Sequence, residues 1–286
     1  MTARPAPIVR FAVVESTQTT AFDLAAEGAV DGTVVVADHQ SAGRGRRGRT
    51  WTDAPGTSLL ASILVRPRVP PSLLGTFSIA TGVAVAEALR RATGIEARLK
   101  WPNDVLAHGR KLAGILVESR IGADGRAGVS EPHRDLAADG GAGVSEPRRA
   151  SLRPPAVDAG LAAPVTLIVG VGLNLTQRTF PADLADLATS VVIETGRAPD
   201  RDAMLEALLQ EFDAWRWRLE SQGFGQVRER WLARSDTIGR RVTVDAVTGV
   251  AVGLDGDGAL LVDDGRSVQR IVAGAIAPEA THAPRR

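Results

Sequence analysis

Three stretches of this chain are apolar at almost every position: TVVVA at 33–37, LLASILV at 59–65 and VTLIVGVGLNL at 165–175. They are short and rich in valine and isoleucine, so they read as strands buried inside a sheet rather than as strands with one wet face. Residues 8–14 read as a further strand, and Thr17 with the run Asp23-Leu24-Ala25-Ala26 predicts a capped helix directly after it. Active residues could sit at that junction.

Helical periodicity marks two longer segments. Over 72–92, Leu73, Phe77, Ala80, Ala84 and Leu89 recur on one face and Gly94 supplies a stop. Over 200–222, Met204, Leu205, Leu208, Phe212, Trp215 and Leu219 form an inward stripe that ends at Gly223. Between them, short β segments are expected at 97–101, 105–107 and 112–118, separated by the turn chemistry of Pro102-Asn103-Asp104 and His108-Gly109. The tail over 240–277 alternates as RVTVDAV and QRIVAG around a turn at Asp255-Gly256-Asp257-Gly258, which predicts a small β-barrel. About forty residues rarely hold a core alone, so the tail should dock on the larger unit.

A chain of 286 residues has room for one large domain and a small one, expected at 1–235 and 236–286. The stretch from 122 to 164 changes character to Ala, Gly, Pro, Arg and Asp, and the octet AGVSEPHR at 127–134 returns as AGVSEPRR at 142–149. Two polar octets cannot build a solenoid, so this is expected to be a disordered surface insertion. The absence of cysteine excludes disulfides, thiolate nucleophiles and cysteine-bound zinc. The N-terminus lacks the apolar core of a signal peptide or membrane span, so a cytoplasmic location is expected. A net charge of +1 argues against a surface built as a whole for nucleic acid.

One basic patch does stand out. GRGRRGRTW at 43–51 sets four arginines among three glycines in a loop with no apolar period. Glycine lets backbone amides approach a ligand, and arginine binds phosphate or carboxylate through paired donors, so the pattern suits an anion clamp. It is neither a Walker loop nor a dinucleotide fingerprint. A solvated basic loop or an RNA-binding arginine-glycine tract would look the same in isolation. KWPND at 100–104 followed by KLAGILVE at 111–118 reads as strand, tight turn and strand, and GVGLN at 170–174 ends an apolar strand on an amide side chain.

In this order, Ser16-Thr17, Gln40, GRGRRGRTW, KWPND, KLAGILVE and GVGLN resemble the biotin protein ligase family over residues 8–278, apart from the insertion. The resemblance implies an α/β (α+β) fold, a mixed sheet flanked by helices of the class II synthetase-like biotin/lipoate ligase type, with a small C-terminal SH3-like β-barrel. The chain departs from the family in having Gln18 where Ser-Thr-Asn is usual and in carrying the insertion. No helix-turn-helix precedes the first strand, so the chain looks like the short form, with no repressor role and no specific DNA binding expected.

A carboxylate is a poor acyl donor, and adenylation supplies the leaving group it lacks. Bringing biotin's carboxylate to the α-phosphate of ATP opposes like charges, which positioned cations must offset. Arg44, Arg46, Arg49 and Lys111 are the candidates, and the resemblance implies that Lys111, Arg46 and Arg49 are catalytic. It implies that biotin meets Ser16, Thr17, Gln18, Gln40, Arg44, Gly45, Arg46, Lys111 and Gly114. It implies that ATP meets Arg46, Arg49, Trp51, Asn103, Asp104, Lys111 and Asn174. Mg²⁺ would bridge phosphate oxygens, with no metal site made by the protein alone. The acceptor would be a lysine of a biotin carboxyl carrier protein domain, with Asp104 a candidate base, and no membrane is involved. The glycines imply that the loop closes over the adenylate and shields it from water. A lipoate ligase or octanoyltransferase shares the expected fold but lacks the arginine loop and KWPND. An RNA-binding module is disfavoured by the lack of stacking aromatics, with six Phe and no Tyr in the chain.

The composition of the insertion predicts that it is dispensable. Replacing residues 124–160 with a short Gly-Ser linker should leave biotin adenylation largely intact in a pyrophosphate-release assay; a loss above about tenfold with the fold retained would give the segment a part in substrate or acceptor contact.

Overall fold

The computed structural model describes residues 7–121 and 165–276, so the expected disordered insertion lies outside the described residues. Seven strands form a mixed sheet in the order β1-β2-β3-β7-β6-β5-β4. They are β1 (Ile8–Val14), β2 (Val34–Gln40), β3 (Ser58–Val65), β4 (Arg98–Lys100), β5 (Asp104–Ala107), β6 (Arg110–Ile121) and β7 (Val165–Asn174). Only β1 and β2 run parallel, joined through helix α1 (Thr17–Ala26); all other neighbours are antiparallel.

The apolar runs are explained by what covers the sheet. On one side Val34, Val36, Leu59, Ala61, Ile63, Leu167, Val169 and Val171 pack with α2 (Thr76–Thr93), α4 (Arg201–Gln222) and α5 (Gly225–Ala233). On the other, Val35, Leu64 and Ile168 receive Ala21 and Phe22 of α1. Strands covered on both faces need no polar alternation.

The periodic helix expected from residue 72 begins instead with a short 3₁₀ turn at Pro71–Leu73 before α2, because the first bonds, Leu74 N–H to the Pro71 carbonyl and Phe77 N–H to the Leu74 carbonyl, reach only three residues back. Two helices went unread. α3 (Val191–Thr195) is one turn capped by Ser190 and closed by left-handed Gly196, and α5 buries only Val227 and Trp231. Both are too short to show a clear period.

The expected small barrel is a four-stranded antiparallel sheet, β11-β10-β9-β8, made of β8 (Arg241–Val244), β9 (Val247–Leu254), β10 (Leu260–Asp263) and β11 (Val268–Ile271). It docks as predicted: Val242, Val244, Ala251, Leu254, Leu260 and Val262 belong to the same apolar cluster as the main sheet. Polar ties reinforce the seam. The Trp101 backbone N–H donates to Thr237 Oγ1 at 3.0 Å and its Nε1–H to the Gly258 carbonyl at 3.1 Å.

One ion cluster holds α2 to α5. Glu87, 6% exposed, accepts from Arg230 at 2.6 Å, Arg234 at 2.9 Å and Arg90 at 3.1 Å. Burial acts to raise its carboxyl, but the hydrogen bonds from Arg230 and Arg234, the charge of Arg234 and the bond from Arg90 outweigh burial and hold it below the usual carboxylate range. A depressed folded-state value stabilises above the unfolded value and loses that contribution as pH falls through the folded one. Glu87→Gln should therefore cost on the order of 2–4 kcal/mol at pH 7, measured by urea unfolding, and the gap to wild type should narrow as pH drops below about 4.5. A gap independent of pH would detach the stability from the ionised carboxylate.

Candidate active site

The site begins where β1 hands over to α1. Ser16 caps that helix but gives it no side-chain bond, and its buried hydroxyl has no partner among the described residues. Thr17 donates twice to Gln40 Oε1, from its backbone N–H at 2.8 Å and from Oγ1 at 3.0 Å. That leaves the Gln40 amide nitrogen to donate elsewhere. Behind them Ser62, fully buried on β3, lies 2.8 Å from Thr17 Oγ1 and donates to Gln18 Oε1 at 3.1 Å. The Gln18 Nε2 group donates to the Leu116 carbonyl at 3.2 Å and to Glu118 at 3.1 Å. The longer amide in place of the family's asparagine thus spans from β3 to β6, and Gly170 makes room for it: a Cβ there would lie 3.1 Å from the Gln18 amide.

Lys111 owes its position to a bulge. Val105 opposes Ala113 whereas Leu106 opposes Lys111, so Leu112 is an extra residue on β6. Strict alternation would put Lys111 on the core side with Ala113; the bulge shifts the phase and turns it to the face of Gly114. A Cβ on Gly114 would lie 3.1 Å from Lys111 Nζ. The strand start is pinned by the Lys111 backbone N–H donating to the Leu187 carbonyl at 2.7 Å and the Thr189 N–H donating to the Lys111 carbonyl at 2.9 Å. The ammonium sits 2.6 Å from Asp104 Oδ1.

The arginine loop doubles back on itself. Gly45 N–H donates to the Arg49 carbonyl at 2.7 Å and Trp51 N–H to the Gly43 carbonyl at 2.9 Å, with one 3₁₀ turn at Arg46–Gly48 between. Its limbs are so close that a Cβ on Gly43 would stand 2.4 Å from the Trp51 carbonyl oxygen. Trp51 then lays its indole on a floor formed by Gly114 and Gly172, which face each other across β6 and β7. A Cβ on Gly172 would penetrate the ring at 2.6 Å. Arg46 donates to Asn103 Oδ1 at 3.3 Å, and the Asn103 Nδ2 group donates to the Ile115 carbonyl at 2.8 Å, tying the KWPND turn to β6. Burial pulls the Arg46 guanidinium below its usual value; Asp104 opposes this, while Arg49 and Arg47 add to it. It remains a cation at neutral pH, crowded by like charge and suited to an anionic ligand. Arg49 has no ion-pair partner among the described residues. Asn174 is committed internally, donating to the Thr189 carbonyl at 2.9 Å and accepting from Gln177 at 3.3 Å.

Most of these side chains line one cavity of about 620 Å³, within the range of small-molecule sites, with Ser62 and Glu118 standing behind its wall. Every residue singled out from the sequence reaches it: Ser16, Thr17, Gln18, Gln40, Arg44, Gly45, Arg46, Arg49, Trp51, Asn103, Asp104, Lys111, Gly114 and Asn174. Their order follows β7, with the amide cluster beside Gly170 and the indole at Gly172, two residues on toward Asn174. Sequence reasoning missed Ser62, whose lone hydroxyl in an apolar run was the available signal. It gave no role to Glu118, although that residue closes KLAGILVE. It also missed the wall supplied by Asp236, Thr237, Arg240 and Arg241 from the start of the C-terminal sheet.

Comparison with known proteins agrees with this geometry. The Biotin/lipoate A/B protein ligase family matches residues 10–131, and the Biotin protein ligase C terminal domain matches residues 237–277. A biotin--[acetyl-CoA-carboxylase] ligase of Mycobacterium tuberculosis is 34% identical over 92% of this chain and 87% of its own length. One from Paracoccus denitrificans is 32% identical over 80% of this chain and 82% of its own length. The biotin protein ligase of Aquifex aeolicus, solved in complex with biotin and ATP, superposes with a TM-score of 0.73 at 26% identity, covering 95% of this chain and 97% of that one. This chain belongs to the biotin protein ligase family and is a ligase.

Proposed function

We propose that the protein condenses biotin with ATP to biotinyl-5′-AMP and pyrophosphate, then transfers the biotinyl group to the ε-amine of a lysine on a biotin carboxyl carrier protein domain, releasing AMP. The observation that carries this reading is the polarity of the cavity. Neutral hydrogen-bonding groups of Ser16, Thr17 and Gln40 gather at one end, and the cations Lys111, Arg46 and Arg49 surround the glycine floor at the other. A neutral bicyclic urea needs the first set and an anion-forming acyl transfer needs the second. The names of the relatives, which specify a carboxylase as the acceptor, support the carrier-domain assignment. The reading includes no repressor role, in keeping with a net charge of +1 that gives no broad attraction to DNA.

In this mechanism the carboxylate of biotin attacks the α-phosphorus in line and pyrophosphate departs. Lys111 contacts the carboxylate and then the bridging oxygen of the mixed anhydride, while Arg46 and Arg49 meet phosphate oxygens from the loop. Trp51, Asn103 and Asn174 form the nucleotide end. Asp104, paired with Lys111 at 2.6 Å, is released when substrate oxygens take over the ammonium, and is then placed to accept the proton of the incoming lysine. Asp104 and Asp236, the carboxylates lining the cavity, are the residues that would hold a Mg²⁺ ion beside the nucleotide. When bound, that ion offsets phosphate charge. No described helix is long and apolar enough to cross a membrane.

Lys111 stands on a strand and Arg46 on a loop, so the two substitutions should fail differently. Lys111→Ala should slow adenylate formation by on the order of 10² or more, the effect of losing one preorganised charge. Arg46→Ala should still form the adenylate but retain it poorly, so that free biotinyl-adenylate and labelled bystander lysines accumulate. Pyrophosphate release and free adenylate, measured separately, decide this: equal loss of adenylate formation in both variants, or full activity in Lys111→Ala, means the cations have been assigned wrongly.

A further inference from the structure

The four loop arginines divide into two kinds. Arg46 and Arg49 line the cavity with no ion pair among the described residues, whereas Arg44, which also lines it, and Arg47 carry ion pairs that lead to two different sheets. Arg44 Nη2 meets Glu118 Oε1 at 2.5 Å on β6, and the other oxygen of Glu118 accepts from Gln18. Arg47 does not line the cavity; its Nη1 meets Asp245 Oδ1 at 3.0 Å. Asp245 stands in the two-residue turn between β8 and β9 of the C-terminal sheet.

These pairs matter because the backbone does not hold the loop down. Among the described residues, 44–49 make no backbone hydrogen bond to either sheet; their bonds run within the loop. Side chains are what fix it over the cavity. The turn geometry points the same way: Arg47 at φ 57° and Asp245 at φ 51° both sit in the left-handed region that glycine would occupy more easily, and Gly48 follows at φ 72°. A conformation that disfavours arginine is retained where it turns the guanidinium away from the cavity and toward the neighbouring sheet.

We propose that Arg44–Glu118 and Arg47–Asp245 are clasps at the root and tip of the arginine loop, and that Asp245 makes the C-terminal sheet a positioning partner in keeping the loop closed over the reacting groups. This rests on the proposed function, because it supposes that the loop covers the ligand. Both pairs are partly exposed, 45% and 23% for the first and 51% and 54% for the second. Each should therefore shift loop closure by only roughly two- to fivefold, and the effect should shrink in high salt. That suffices for a segment with no backbone ties.

The loop reports its own state, because each arginine is a trypsin site. Digestion of the full chain, with cut ends at Arg44, Arg46, Arg47 and Arg49 read by mass spectrometry, should show protection by biotin plus ATP. Asp245→Asn and Glu118→Gln, which leave every trypsin site in place, should each weaken that protection and speed release of biotinyl-adenylate by roughly two- to fivefold, at unchanged melting temperature. Arg47→Gly, which relieves the turn while deleting the charge, should release adenylate faster as well. The exchanged pair Arg47→Asp with Asp245→Arg should recover retention. Unchanged protection and release in Asp245→Asn, or no recovery in the exchanged pair, would overturn the clasp. Lack of protection in the wild-type protein would overturn the functional reading itself.

Discussion

The pairing of β6 with β7 supports the rest of the site. Gly114 and Gly172 face each other across it, and the absence of two Cβ atoms leaves a flat floor on which the Trp51 indole can lie. Any side chain on Gly172 would occupy the ring itself. Through Trp51 the arginine loop rests on that floor, and the same floor carries Lys111 at its edge, 5.9 Å from the ring centroid. The apolar runs of β3 and β7 serve this arrangement, because central strands covered on both sides give the glycine floor a rigid support.

Charge is distributed by rigidity. Lys111 is held by two backbone bonds, to Leu187 and Thr189 of one neighbouring segment, and by a carboxylate. The arginines sit on a loop that folds only upon itself. A strand-borne cation can stabilise charge as it develops, whereas loop-borne cations can arrive with the ligand and leave with the product. The buried chain from Gln40 through Thr17 and Ser62 to Gln18 gives the opposite end its rigidity, since every member but the Ser16 hydroxyl and the Gln40 amide nitrogen is already engaged. Those two groups therefore keep donors free for a ligand.

The C-terminal sheet is more than an appendage. It shares the main apolar cluster, and together with the segment leading into it receives two hydrogen bonds from Trp101 in KWPND and contributes Arg240 and Arg241 to the cavity wall. A unit of this size has too little core to stand alone, and the seam that stabilises it also places it against the reacting groups.

Much of this was legible in the amino-acid order. Apolar runs marked β2, β3 and β7 because burial on both faces leaves a local trace, and the stripes at 72–92 and 200–222 marked α2 and α4 because a long helix repeats its contacts. The identities of the site residues came from motif order alone. What composition and spacing could not decide was direction. Alternation along β6 would have turned Lys111 into the core, and only the pairing with β5, which excludes Leu112 from the ladder, turns it into the cavity. Nor could the loop show which of its arginines face inward, because Glu118 and Asp245 lie 74 and 198 residues from their partners. A local pattern records what each residue must bury; which charge meets which is set by chain segments that come together only when the sheets close.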